Sequence, residues 1–351
     1  MNKVILLSIF FTYLLVASDI IYLGNPYKKQ YKDGEYIYAR NIWDMQYYNG
    51  KIYLGAGNSS NYHPAPNSGR VYVVSLNTKT NRFNYEYKVA EEQIDKYEVY
   101  DQKLYISGHD ATQKWTFGNI YEKDGFKKWK KYRTIPKALH IYDLLKLKDR
   151  YYVAVGMKHK GAVLYSYDKK RWFFYKTVPH RRVYSIFDLN GKVYLDSEVV
   201  SKRYKMIKAI KLDSNRYIYI KAKVHNDHQN IPIELKTIFV VDNKLKKDIV
   251  KLPKSFLPRD ILKRDSILYI LATKKQQNSY RIIVLKYTID DLNRYEKIIS
   301  FTYPTFARSF ENYKDSFYFG MGAEIKSVKR WKQSELKKEI GDIIMIKTKR
   351  R

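Results

Sequence analysis

The chain of 351 residues contains no cysteine. That excludes disulfides, thiolate catalysis, thiolate metal sites and a lipoprotein anchor, which needs a cysteine at its cleavage point. The fold must hold by its core alone. Proline (9) and methionine (6) are scarce. The apolar run at 4–16, broken by Ser8 and Thr12, is shorter than the roughly 20 residues that span a bilayer. Lys3 precedes it, and Val16-Ala17-Ser18 then Asp19 follow it as a small-residue cleavage site. This is the layout of a secretory signal peptide, so residues 1–18 are expected to be removed and the rest exported to periplasm, surface or medium. An uncleaved anchor is the alternative. Also missing are a phosphate-cradling glycine loop, a nucleophile elbow and a dinucleotide fingerprint. No cofactor and no metal site are implied.

Two things are abundant. Tyrosine occurs 36 times, a strand former with an apolar body and a polar tip. The formal charge is +32, which attracts polyanions and makes the surface salt-sensitive. A lysine-rich bias gives the same sign, and an exported protein does not meet nucleic acid as its main partner. An anionic glycan or an acidic envelope protein fits that compartment better.

A turn running into a short strand is written six times: "NGKIYLGAG" at 49–57, "DQKLYISG" at 101–108, "DRYYVAVG" at 149–156, "NGKVYLDS" at 190–197, "RDSILYIL" at 264–271 and "KDSFYFGMG" at 314–322. Their tyrosines, Tyr53, Tyr105, Tyr152, Tyr194, Tyr269 and Tyr318, are spaced by 52, 47, 42, 75 and 49 residues. Periods of 40 to 50 with strand–turn–strand units predict a β-propeller of four-stranded blades. "IYEKDGFKKWKKYRTIP" at 120–136 also lies over "LYSYDKKRWFFYKTVP" at 164–179, as an outer hairpin closed by proline. "IFVVDNKLKKDIVKLP" at 238–253 repeats that hairpin. The expectation is a six-bladed, all-β propeller in a single domain over 19–351, with 199–236 as an inserted hairpin in the fourth blade. Seven blades, one degenerate, is the alternative. An N-terminal strand, "IIYLG" at 20–24 or "EYIYAR" at 35–40, would close the ring beside "GDIIMIKTKRR". "SELKKEI" at 334–340 reads as a short helix.

In a propeller the innermost strand of each blade lines the axis. Nine residues before each marker tyrosine stand Asp44, Lys96, Asp143, Ser185, Asp260 and Ser309, polar in all six. Arg40, His140, Arg182, Arg259 and Arg308 precede them. Asp44, Asp143 and Asp260 are thus candidate catalytic carboxylates. The arginines and His140 are candidate ligand contacts at the funnel mouth, or groups that bond a neighbouring blade. "GHD" adds His109 and Asp110 on a loop entering its blade. "HNDHQN" at 225–230 reads as a solvated loop, and "NSSNYHPAPNSG" at 58–69 as a long polar loop able to carry binding.

"SYDKKRW" at 166–172 resembles a degenerate Asp-box, the turn of sialidase-type six-bladed propellers, and Asp124-Gly125 with Trp129 resembles a second. The first has Lys170 for glycine and a short spacing to Trp172; the second lacks the serine. The resemblance implies the fold. If it extended to activity it would imply three arginines on a substrate carboxylate, a tyrosine nucleophile backed by Glu, and an Asp acid. Arg40, Arg182, Arg259 and Arg308 could supply the grip, and Asp44 or Asp143 the acid. Two functions therefore stand: a binding or scaffold module for an anionic glycan or envelope protein, and a glycoside hydrolase or lyase at the funnel.

Overall fold

The computed structural model describes residues 20–60, 66–157, 160–223, 237–323 and 336–348. Residues 1–18, expected to be a signal peptide, "HNDHQN" and the middle of the 58–69 loop lie outside them. Strand β1 (Ile20–Gly24) comes first, and Glu35–Arg40 is a 3-10 turn rather than a strand. Blade one is β2 (Asp44–Tyr48), β3 (Lys51–Gly55), β4 (Tyr72–Asn77) and β5 (Phe83–Lys88). Blade two is β6 (Tyr97–Tyr100), β7 (Lys103–Ser107), β8 (Phe117–Asp124) and β9 (Lys130–Pro136). Blade three is β10 (His140–Leu147), β11 (Arg150–Met157), β12 (Lys160–Ser166) and β13 (Phe173–Pro179). A lone hairpin follows, β14 (Ile186–Leu189) and β15 (Lys192–Leu195), then one helical turn, α1 (Asp196–Val199). Blade four is β16 (Tyr204–Lys211), β17 (Arg216–Lys223), β18 (Thr237–Asp242) and β19 (Lys247–Val250). Blade five is β20 (Leu257–Arg264), β21 (Ile267–Lys275), β22 (Tyr280–Thr288) and β23 (Asp291–Tyr303). Blade six is β24 (Phe306–Tyr313), β25 (Ser316–Gly322) and β26 (Ile343–Lys347), completed by β1.

The protein is thus an all-β propeller with six four-stranded blades, closed by its N-terminal strand. Ile20 pairs with Ile346 and Tyr22 with Ile344, so β26 is not left as an open edge. The odd hairpin differs from the expected one. Residues 204–223 are the inner half of blade four, because β17 pairs with β18 from Arg216↔Asp242 to Lys221↔Thr237. What stands alone is 186–195, which takes its own place in the ring between blades three and four. Seven inner strands therefore surround the axis: six from full blades and β14 from the half-blade. Residues 338–341 form turns, not the helix expected of 334–340.

Local chemistry explains the repeat. Asn49-Gly50 and Asn190-Gly191 both have positive φ at each position (47° and 75°; 49° and 75°), as the tight turn between two strands requires. The tyrosines build the walls between blades. Tyr53 is 1 % exposed, its ring edge-on to Trp129 of blade two while its hydroxyl reaches Glu86. The outer turns lock blade to blade as well. Ser166 Oγ accepts the N–H of Lys169, Asp168 Oδ1 accepts those of Lys170 and Arg171, and Trp172 Nε1 donates to Thr134 of blade two.

Candidate functional site

Each inner strand starts at the funnel mouth, and four of them start with a bulge. The register slips at Ile141/Asp143, Met206/Lys208, Pro258/Asp260 and Ala307/Ser309. A bulge re-aims the extra side chain, here Tyr142, Ile207, Arg259 and Arg308. Together with Trp43, Asp95 and Tyr184 these make the rim. One residue deeper lies a second ring: Asp44, Lys96, Asp143, Ser185, Lys208, Asp260 and Ser309.

The deeper ring is tied together. Its acids accept backbone N–H groups of the next inner strand: Asp44 from Tyr97 at 2.8 Å, Asp143 from Ile186 at 2.9 Å, Asp260 from Phe310 at 3.2 Å. Glu311, two residues further along β24 than Ser309, takes the N–H of Tyr47 at 2.7 Å, and Ser309 Oγ donates to Ile42 O at 2.8 Å. The remaining oxygens face two lysines. Lys208 Nζ stands 2.7 Å from Asp44 and 3.4 Å from Asp260; Lys96 Nζ stands 2.8 Å from Asp143 and also pairs with Glu98. Burial works against the charge of both lysines, but their carboxylates hold both well above the usual lysine value. Burial pushes Asp260 up to about 6, with Lys208 pulling it back. Asp44 and Asp260 thus meet at one cation, while Asp143 meets another.

Lys208 falls within 199–236, the stretch that the tyrosine spacing assigns to an insertion, so it is not among the candidates drawn from the sequence. The signal was there: Tyr217 in "NRYIYI" lies nine residues after Lys208, the same count as in the other six.

The candidate arginines do not share one point. Arg40 is fully buried, its Nε on Tyr31 O at 2.6 Å and its Nη2 on Asp33 at 2.9 Å. Arg259 and Arg308 meet over Phe306, at 3.9 and 5.2 Å from the ring centroid. Arg259 Nε also donates to Thr273, and Arg308 Nε to Asn41. Arg182 lies with blade three and donates to the Tyr142 hydroxyl.

It is beside Arg182 that the structure gathers the most chemistry. His109, His140, Tyr142 and Tyr184 form a ladder of half-buried rings, with centroids 5.3 Å apart for His109–Tyr142 and His140–Tyr142 and 4.8 Å for Tyr142–Tyr184. Arg182 lies 5.9 Å over Tyr142, and Lys205 lies 4.9 Å over Tyr184. Asp95 and Asp110 flank the imidazoles: His109 pairs with both, and His140 pairs with Asp110. Burial would discharge His109, but Asp95 and then Asp110 raise it to about 9. Burial pushes Glu92 and Asp196, close by, each up to about 7. Among the described residues no group of three or more His, Asp or Glu is placed to hold a metal ion. A separate groove of about 460 Å³ lies on the outer edge, lined by Leu23, Asn25, Phe83 and Tyr85 among others.

Asp95→Asn should therefore lower the His109 proton affinity by about one pKa unit or more, read from imidazole shifts across a pH titration. The stability His109 contributes is fully present below its unfolded value of about 6.5 and is lost as pH rises through about 9. In the Asn variant that loss should move to lower pH. An unmoved His109 titration would mean that Asp95 is not the controlling partner.

No helix among the described residues is long and apolar enough to cross a membrane. No protein-family model matches the sequence, and no curated protein matches it. Solved structures do match in shape. The WD40 domain of Pan2 from Neurospora crassa superposes with a TM-score of 0.52 at 9 % identity, covering 95 % of this chain and 94 % of that one. A polysaccharide lyase, an ulvan lyase of a new family, gives 0.46 at 12 % over 94 % of each chain. The propeller domain of the Trilobed protease from Pyrococcus furiosus gives 0.45 at 12 %, over 80 % of this chain and 90 % of that one. At such an identity the likeness to the WD40 domain speaks to architecture alone.

Proposed function

We propose that this propeller is an exported binding module whose funnel mouth holds an anionic glycan. The observation that carries the proposal is the ladder His109–His140–Tyr142–Tyr184 with Arg182 and Lys205 set over its rings. Aromatic faces stack on the apolar faces of sugar rings, and a guanidinium beside an ammonium recognises carboxylate or sulfate. The deeper ring is already spent on blade-to-blade bonds, which supports a rigid seat in preference to a reactive one. Titration with uronate- and sulfate-bearing oligosaccharides at low salt tests this. Binding should weaken about tenfold in Tyr142→Ala and in Arg182→Ala, and fade as salt is added. A protein with no affinity for any such sugar at low salt would end the glycan reading.

A second reading, glycoside cleavage at the same mouth, is favoured by one observation. Glu92 and Asp196 are pushed up to about 7 by burial, the range in which a carboxylic acid donates a proton near neutral pH. A sialidase-type centre would also need three arginines on one carboxylate. Arg259 and Arg308 stand together, but Arg182 lies with the Tyr142 ladder and Arg40 is turned to Asp33. Binding is placed first for that reason. Turnover of a glycan that is lost in Asp196→Asn with the fold retained would reverse the order.

A further inference from the structure

The blade topology carries every inner strand from the funnel mouth to the opposite face, so the turn between the third and fourth strands of each blade also lies on that far face. In blade two this turn is Asp124-Gly125-Phe126-Lys127-Lys128, and in blade three Tyr167-Asp168-Lys169-Lys170-Arg171. Phe126 is 89 % exposed and Tyr167 is 48 % exposed. Lys127, Lys128, Lys170 and Arg171 around them are exposed too. The two turns belong to adjacent blades: Lys169 of the blade-three turn reaches Glu122, two residues before the blade-two turn, at 2.9 Å. They also carry two acids against these four cations. Asp168 accepts the backbone N–H groups of Lys170 and Arg171, and Asp124 pairs with Lys127 at 2.8 Å.

We propose that this face docks on a lipid bilayer rich in anionic headgroups, with Phe126 entering the interface and the four cations on the headgroups. The cations alone would suit any polyanion. Phe126 decides between them: an apolar ring at a turn tip, between lysines, gains free energy only where an apolar layer lies behind the negative charge. Docking this way leaves the funnel pointing away from the membrane. It does not depend on what the funnel binds.

Co-sedimentation of the full chain with phosphatidylcholine vesicles, with and without phosphatidylglycerol, tests the proposal. Binding is expected to the mixed vesicles only, to fall steeply with salt, and to drop about tenfold in Phe126→Ala. Lys127→Glu with Lys128→Glu should abolish it. Because the chain has no cysteine, Phe126→Cys can carry an environment-sensitive dye alone, with Trp115→Cys, on a loop at the funnel end, as its control. The dye at 126 should brighten on mixed vesicles and the dye at 115 should not. Wild-type vesicle binding by Phe126→Ala would overturn the proposal, as would a response at 115 in place of 126. Capture by soluble heparin without any vesicle binding would overturn it too, and make the face a polyanion site.

Discussion

Lys208→Met should cost about 3–5 kcal/mol of folding stability, the range for stranding a buried charge by removing its partner. Lys208 is the cation shared by Asp44 and Asp260, which are 2 % and 4 % exposed. Methionine keeps the length of the stem, so packing is disturbed little and the lost charge dominates. The carboxylates retain their backbone donors, from Tyr97 to Asp44 and from Ile261 and Phe310 to Asp260, but these cannot neutralise them. Urea unfolding measures the loss. Adding Asp260→Asn should return part of it, because one of the stranded charges is then gone. The sign with pH follows from Asp260. Its folded value is already raised to about 6, and losing Lys208 raises it further. A carboxylate with a raised folded value is neutral in both states below its ordinary value of about 3.8, and the folded state is penalised as pH rises from there through the folded value. The Asp260 part of the Lys208→Met deficit should therefore open as pH rises above about 6, where the native carboxylate is ionised and the variant's is not, and close again as pH falls to about 6. A loss under about 1 kcal/mol would instead mean that water screens the axis as it does a surface pair.

Glu91→Gln is the opposite case, a substitution that should stabilise. Glu91 is fully buried between blades one and two, where Oε1 accepts from Asn119 Nδ2 and from the Tyr121 hydroxyl. No described cation pairs with it, and burial pushes it up from 4.5 to about 7. A raised acid is neutral in both states below its unfolded value. The folded state is then penalised progressively as pH rises from about 4.5 through about 7, by about 3 kcal/mol in all. Glutamine can keep both hydrogen bonds to its carbonyl oxygen and carries no charge. At pH 8 the variant should gain most of that amount over the native protein, and below about pH 4 the two should melt alike. Melting curves at the two pH values check it. Equal gains at both would point to packing as the cause.

How much was legible beforehand depended on the range of the interactions involved. The six strand–turn–strand units and their marker tyrosines were readable because a turn such as Asn49-Gly50 and a period-2 strand are written within ten residues of chain. The polar positions of the inner strands followed by counting. The fate of those positions did not. Asp44 bonds Tyr97 and Lys208, and Glu311 bonds Tyr47, partners 53, 164 and 264 residues away. No local pattern distinguishes an aspartate that binds a ligand from one that ties two blades. Arg40 shows the same limit from the other side: its place before Asp44 suggested the funnel, but the preceding segment folds back and takes its guanidinium to Tyr31 and Asp33.

By itself the sequence determined an all-β ring of repeated strand–turn–strand blades closed by an N-terminal strand, because turn chemistry and strand alternation are local and repeat. Only the tertiary structure decided which hairpin belongs to which blade, since 186–195 and 204–223 are equally good hairpins and ring packing alone separates them. It also decided that Asp44, Asp143 and Asp260 are held by lysines and neighbouring backbone. And it decided that His109, His140, Tyr142, Tyr184, Arg182 and Lys205, drawn from three ring positions and the hairpin between them, stand at one mouth. Their convergence is a property of ring closure, which brings distant strand starts together around a single axis.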